Sequence, residues 1–117
     1  MHTAVAILEI NIKRDWPTVE VAQERLKDEI ARARRNNVKV LKIIHGYGST
    51  GKGGILREEL RDQLTAMKKS GSVRQVVYGE NFSMFDQDTA GLTGQYPELL
   101  KDRDYNRSNK GVTLIAL

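Results

Sequence analysis

VKVLKIIHGYGSTGKGGILREEL, Val38 to Leu60, decides how this chain is read. Val38 to His45 is rich in β-branched residues and reads as a strand. It runs straight into HGYGSTGKGG, His45 to Gly54, and then into a helix carried by Leu56, Leu60, Leu64 and Met67 and stopped by SGS. Within the loop, GYGSTGK follows a phosphate-binding P-loop up to its final position. That motif needs a hydroxyl after the Lys to hold Mg²⁺, and Gly53 stands there instead. Nor does an aspartate end a neighbouring strand, where it would organise the metal. The stretch argues against nucleotide hydrolysis, and no nucleotide cofactor is expected. A simpler chemistry survives. Backbone N–H groups, the positive end of a helix dipole and Lys52 all suit a phosphate, whatever molecule carries it. The alternative is a turn that merely joins strand to helix, but five glycines and a Lys exceed what a turn requires.

Working outward, AVAILEINI (Ala4 to Ile12) alternates with period two and predicts a strand. After a KRDWP loop, Thr18 is placed to cap a helix whose apolar residues Val19, Ala22, Leu26, Ile30 and Ala33 recur at helical spacing. Its end is marked by the basic Arg32, Arg34 and Arg35, read as a solvated helix terminus, and by Asn36-Asn37. VRQVVYG (Val73 to Gly79) and GVTLIAL (Gly111 to Leu117) predict two more strands. Between them lie about thirty residues, longer than ordinary connections, in which only YPELLK suggests a helical turn. The order β-α-β-α-β-β implies an α/β fold with a four-stranded mixed sheet. We expect one domain over residues 1–117, with a long insertion at 80–110 before the last strand.

The 117 residues contain no cysteine, which excludes disulfides, thiolate metal sites and cysteine nucleophiles. No apolar run is long enough for a membrane span, and the N-terminal stretch alternates like a strand, so a cytoplasmic protein with no membrane partner is expected. The net charge of +4 is uneven: residues 1–79 carry +6 and residues 80–117 carry −2. A basic body favours a polyanionic partner such as DNA or RNA. Oligomeric state is not legible.

IIHGYGSTGKGGILREEL resembles the His-Gly-x-Gly loop and following helix of the small MutS-related (Smr) domain family. LEIN (Leu8 to Asn11) falls where that family has Leu-Asp-x-His, TVEVA (Thr18 to Ala22) is similar to its first helix start, and GVTLIAL resembles its closing strand. The resemblance implies a two-layer sandwich with two helices on one face, and a protein that binds nucleic acid or acts as an endonuclease, nicking DNA or cleaving RNA. A divalent metal enters only in the nuclease case. It also implies that the end of the first strand at Asn11, the glycine loop, and Arg107 to Lys110 meet along one sheet edge, where ligands of parallel strands commonly sit. Where the family has a carboxylate and an imidazole, this chain has Glu9 and Asn11. Asparagine hydrogen-bonds but cannot serve as a general base.

The candidate catalytic residues are therefore His45 and, on the resemblance, Glu9. His45 would take a proton or bond a phosphate; alternatively it pins the turn through backbone. Asn11, Gly46, Gly48, Ser49, Gly51, Lys52, Gly53, Arg57, Arg107 and Lys110 are the expected phosphate contacts. Arg57 and Arg61, one turn apart, would reach phosphates or form an ordinary helix surface. In the insertion, Phe82 and Phe85 are expected to fix the loop to the body, Tyr105 and Asn106 to touch ligand, and Asp102 and Asp104 offer a weak divalent-ion site. The competing reading is a non-catalytic module that binds another protein through residues 80–110.

Overall fold

A computed structural model describes residues 6–46 and 52–117, with residues 52 and 53 described by backbone alone. The elements are β1 (Ile7–Asn11), α1 (Val19–Arg35), β2 (Val40–Ile44), α2 (Lys52–Lys69), β3 (Gln75–Tyr78), α3 (Gln87–Gln95) and β4 (Val112–Ala116), with 3-10 turns at Gly79–Asn81 and Pro97–Lys101. The α/β fold with a four-stranded mixed sheet is as expected. Ala4 and Val5, expected in the first strand, lie outside the described residues.

The sheet order is β1-β2-β4-β3. β1 and β2 are parallel, with Glu9 beside Lys42 and Asn11 beside Ile44. β4 runs antiparallel to both β2 and β3. Three strands therefore end, and the fourth begins, at the same edge. Asn11, His45, Gly79 and Gly111 are brought to that edge although they are scattered along the chain.

Alternation along the strands divides the side chains between two faces. Leu41, Ile43 and Ile115 pack with Ala22, Leu26, Ile30 and Ala33 of α1 and Leu56, Leu60 and Leu64 of α2. The helical spacing of those residues presents one apolar stripe to the sheet, and each fully buried Leu or Ile contributes roughly 1.5–3 kcal/mol. Thr18 caps α1 as expected, its Oγ1 accepting from Val21 N at 3.2 Å.

The opposite face carries the insertion. Val40, Val77, Leu114 and Ala116 pack against Phe82, Leu92 and Leu99, with Tyr96 and Tyr105 at the margin. α3 is an element that the sequence did not announce: QDTAGLTGQ holds two glycines and few apolar residues, which lowers helix propensity. It forms because Asp86 caps it and because Thr89, Leu92 and Thr93 are buried in tertiary contact. Phe82 is fully buried and meets Tyr105 edge-on at 5.2 Å, so it fixes the loop as expected. Phe85 does not: it is 91 % exposed at the tip of a turn. Gly79, just before the insertion, sits where two backbone segments touch, since a Cβ there would lie 1.9 Å from Asn109 O.

Candidate functional site

At the carboxyl edge of the parallel strands, β2 delivers His45 and Gly46 to the mouth of the glycine loop. The N–H groups of both donate to Gly111 O, at 2.9 and 3.1 Å. This pair of hydrogen bonds to one carbonyl ties the backbone of Gly111, the residue after the exposed Lys110, to the loop mouth. On the other flank stands Lys13, from the turn after β1; its Cδ is 3.5 Å from where a Gly46 Cβ would be. Gly46 itself has φ +78°, a conformation that disfavours any residue with a Cβ.

His45 is fully buried. Its Nδ1 donates to Gly46 O at 2.7 Å, because a carbonyl can only accept, and so Nε2 of the neutral ring accepts from Thr113 Oγ1 at 2.9 Å. The Thr113 hydroxyl in turn accepts from Arg61 Nε at 3.2 Å. Arg61 completes the chain with a two-pronged pair to Glu80, at 2.8 and 2.7 Å, a bond to Val112 O, and a guanidinium carbon 4.0 Å above the Tyr78 ring. Every donor and acceptor in this series has one consistent direction. Burial lowers the His45 pKa to about 4, aided by Arg61 and Arg57 and opposed by the Gly46 carbonyl and Glu80. The ring is therefore neutral near pH 7, with both nitrogens engaged.

Arg61 thus neither faces solvent nor reaches outward: it is buried against the first acid of the insertion. Neither Thr113 nor Glu80 was singled out from sequence. No short-range pattern links residues 45, 61, 80 and 113, which meet only when β4 inserts between β2 and β3.

Glu9 lies on the other face of the sheet. There Lys42, also fully buried, directs its ammonium at Asp102 Oδ1 (2.7 Å), Asp104 Oδ2 (2.5 Å) and Glu9 Oε1 (3.2 Å). The Asp104 Oδ2 contact is an ion pair without the angle of a hydrogen bond. Arg103 closes on Glu9 Oε2 at 2.7 Å, and Asn109 donates to Asp104 Oδ1. Burial by itself would raise Glu9 and Asp104, but the Arg103 hydrogen bond and the Lys42 ammonium at Glu9, and the Lys42 ammonium and the Asn109 hydrogen bond at Asp104, hold both below the usual carboxylate range. Asp102 and Asp104, considered as a divalent-ion pair, hold a lysine ammonium. Among the described residues no group of three or more His, Cys, Asp or Glu is placed to hold a metal ion.

The remaining expected contacts divide by position. Asn11 is exposed at the edge, its Oδ1 accepting from Lys13 N at 3.1 Å. Arg57 is half-buried on α2. Arg107 is exposed in the turn that Asn106 N anchors to Phe82 O, and the Asn106 side chain bonds Met84 N. Tyr105, expected to touch ligand, packs against Phe82. Gly48, Ser49 and Gly51 lie outside the described residues, as do the side chain of Lys52 and the surroundings of Gly53; α2 begins at Lys52. No described helix is long and apolar enough to cross a membrane.

No curated protein matches the chain. The Smr domain model matches residues 17–81, from the turn before α1 through both helices and the glycine loop to the first turn of the insertion. That match spans more than half of the sequence, and the chain belongs to the Smr domain family.

Proposed function

We propose that this Smr domain binds DNA or RNA in the cytoplasm, holding backbone phosphate at the glycine-loop edge of its sheet. The observation that carries the reading is that Lys13 lies against Gly46 at the loop mouth while the backbone of Gly111, which follows the exposed Lys110, bonds the N–H groups of His45 and Gly46; α2 begins at Lys52. Cations and a helix N-terminus around a loop mouth favour a phosphate. We infer that residues 1–117 act as one Smr-like domain whose 80–110 insertion is docked on the sheet.

Binding rather than cleavage is the better supported activity. His45 is positioned to shape the loop, with both nitrogens committed, and Glu9 is committed to Lys42 and Arg103. Phosphate contact gives an affinity that falls with salt, and Lys13→Ala, Lys52→Ala or Lys110→Ala should each reduce the salt slope by about 1. Affinity indifferent to salt and to all three changes would overturn the reading. Plasmid nicking or RNA cutting with Mg²⁺ or Mn²⁺ that Glu9→Gln abolishes in a folded protein would move it to endonuclease.

Phe85, 91 % exposed beside an exposed Met84, favours a second reading in which the insertion tip contacts another protein. Met84→Ser with Phe85→Ser should then leave nucleic-acid affinity unchanged while removing the second activity.

A further inference from the structure

Trp16 is the only tryptophan in the chain and is 70 % exposed. An indole in water is a costly placement for a residue that usually anchors a core or an interface. Its turn is braced. Asn11 Oδ1 accepts from Lys13 N, Lys13 O accepts from Trp16 N at 3.0 Å, and the Arg25 guanidinium bonds Ile12 O and Arg14 O at 3.4 and 2.6 Å. Within that brace Asp15 and Trp16 adopt φ of +63° and +49°, left-handed values unusual for bulky residues. Pro17 adds to the strain, since a residue before proline prefers an extended backbone. Strain of this kind persists where surrounding bonds over-determine it, and it collects at functional positions.

The turn also has a definite address. Lys13, three residues before Trp16, is the side chain that lies against Gly46 at the loop mouth. Trp16 stands three residues before the start of α1 at Val19, and α1 and α2 both begin at the carboxyl edge of the sheet. The exposed indole thus belongs to the same braced turn as Lys13, the lysine at the loop mouth, and as the exposed Arg14. Cations for a backbone and one exposed aromatic face are the two components that single-strand binders combine. In continuous duplex the faces of bases are hidden by their neighbours, so a stacking indole needs a base that is unpaired.

We propose that Trp16 stacks on an unpaired base of the bound strand, so that this edge takes single-stranded or locally unwound nucleic acid in preference to continuous duplex. The proposal rests on the nucleic-acid reading above. Because the chain has one tryptophan, its emission reports on this residue alone. The probes are fluorescein-labelled dT and rU oligonucleotides and a blunt duplex of equal length, with anisotropy measuring binding separately from emission.

The expected result is quenching of Trp16 by the single strands, a roughly tenfold loss of single-strand affinity in Trp16→Ala, and most of the affinity kept in Trp16→Phe. Trp16→Gly, which relieves the positive φ, should lose affinity without lowering the melting temperature, an outcome that unfolding would not produce. Single strands that bind while Trp16 emission is unchanged and Trp16→Ala binds equally would overturn the stacking proposal and leave phosphate binding standing. Binding of none of the probes would overturn both.

Discussion

The two faces of the sheet are covered by different physics. Leu41 and Lys42 are adjacent in β2 and both fully buried, yet Leu41 enters the apolar layer under α1 and α2 while Lys42 holds the insertion through Asp102 and Asp104 and pairs with Glu9 of β1. The helix layer is held by area removed from water, a non-directional force. The insertion adds to its smaller apolar cluster a buried ammonium surrounded by acids, which fixes register and makes docking dependent on charge. A buried ion pair is weak evidence for net stability, but removing one member leaves the others desolvated and uncompensated.

The sharpest way to break the comparison is to truncate each neighbour. Lys42→Ala should cost about 3–5 kcal/mol in urea unfolding, because several carboxylates lose their shared cation. Leu41→Ala should cost roughly 2–5 kcal/mol through the cavity it leaves. Lowering the pH to protonate the acids should rescue the first variant in part and leave the second unrescued. Equal responses of the two variants to pH would erase the distinction.

Acid titration should separate the faces next. His45 on the helix face, with an ordinary value of 6.5, is held to about 4 chiefly by burial. The unfolded chain therefore binds a proton that the folded chain refuses, and stability should fall by roughly 3 kcal/mol as the pH drops from about 6.5 to about 4. Glu9 and Asp104 have folded values lowered from 4.5 and 3.8, so their contribution is complete above those ordinary values and is lost only as pH falls through the lower folded ones. His45→Gln should flatten the upper limb and spare the lower. Melting temperatures across this range check both.

The smallest expected effect concerns caps. Asp86→Ala should destabilise α3 by about 1 kcal/mol, since Thr89 keeps its second bond, to Asn81 O at 2.7 Å. Amide exchange should rise first in α3 and the neighbouring turns rather than in α1, which shows that the insertion opens separately.

Much of the fold was legible because it follows from local rules. Ala22, Leu26, Ile30 and Ala33 declare one face of α1, Thr18 declares its start, and the strand–glycine loop–helix run carries the family resemblance. α3 was not legible, because its glycines oppose it and its support comes from the sheet. At the site, the glycine loop and His45 could be found by pattern. The role supported for His45 came from Thr113 and Arg61, which no spacing connects to it.

The sequence by itself determined the order of the four strands and the two long helices, the apolar stripe of each of those helices and the missing hydroxyl at Gly53, because periodicity, capping and motif chemistry act over a few residues. Tertiary structure decided the rest: that Lys42 is buried, that His45 is neutral at the end of a bond series from Glu80, and that Lys13 and the Gly111 carbonyl meet at Gly46. Those facts depend on which strands become neighbours, and burial and electrostatic partnership are properties of neighbours in space rather than in the chain.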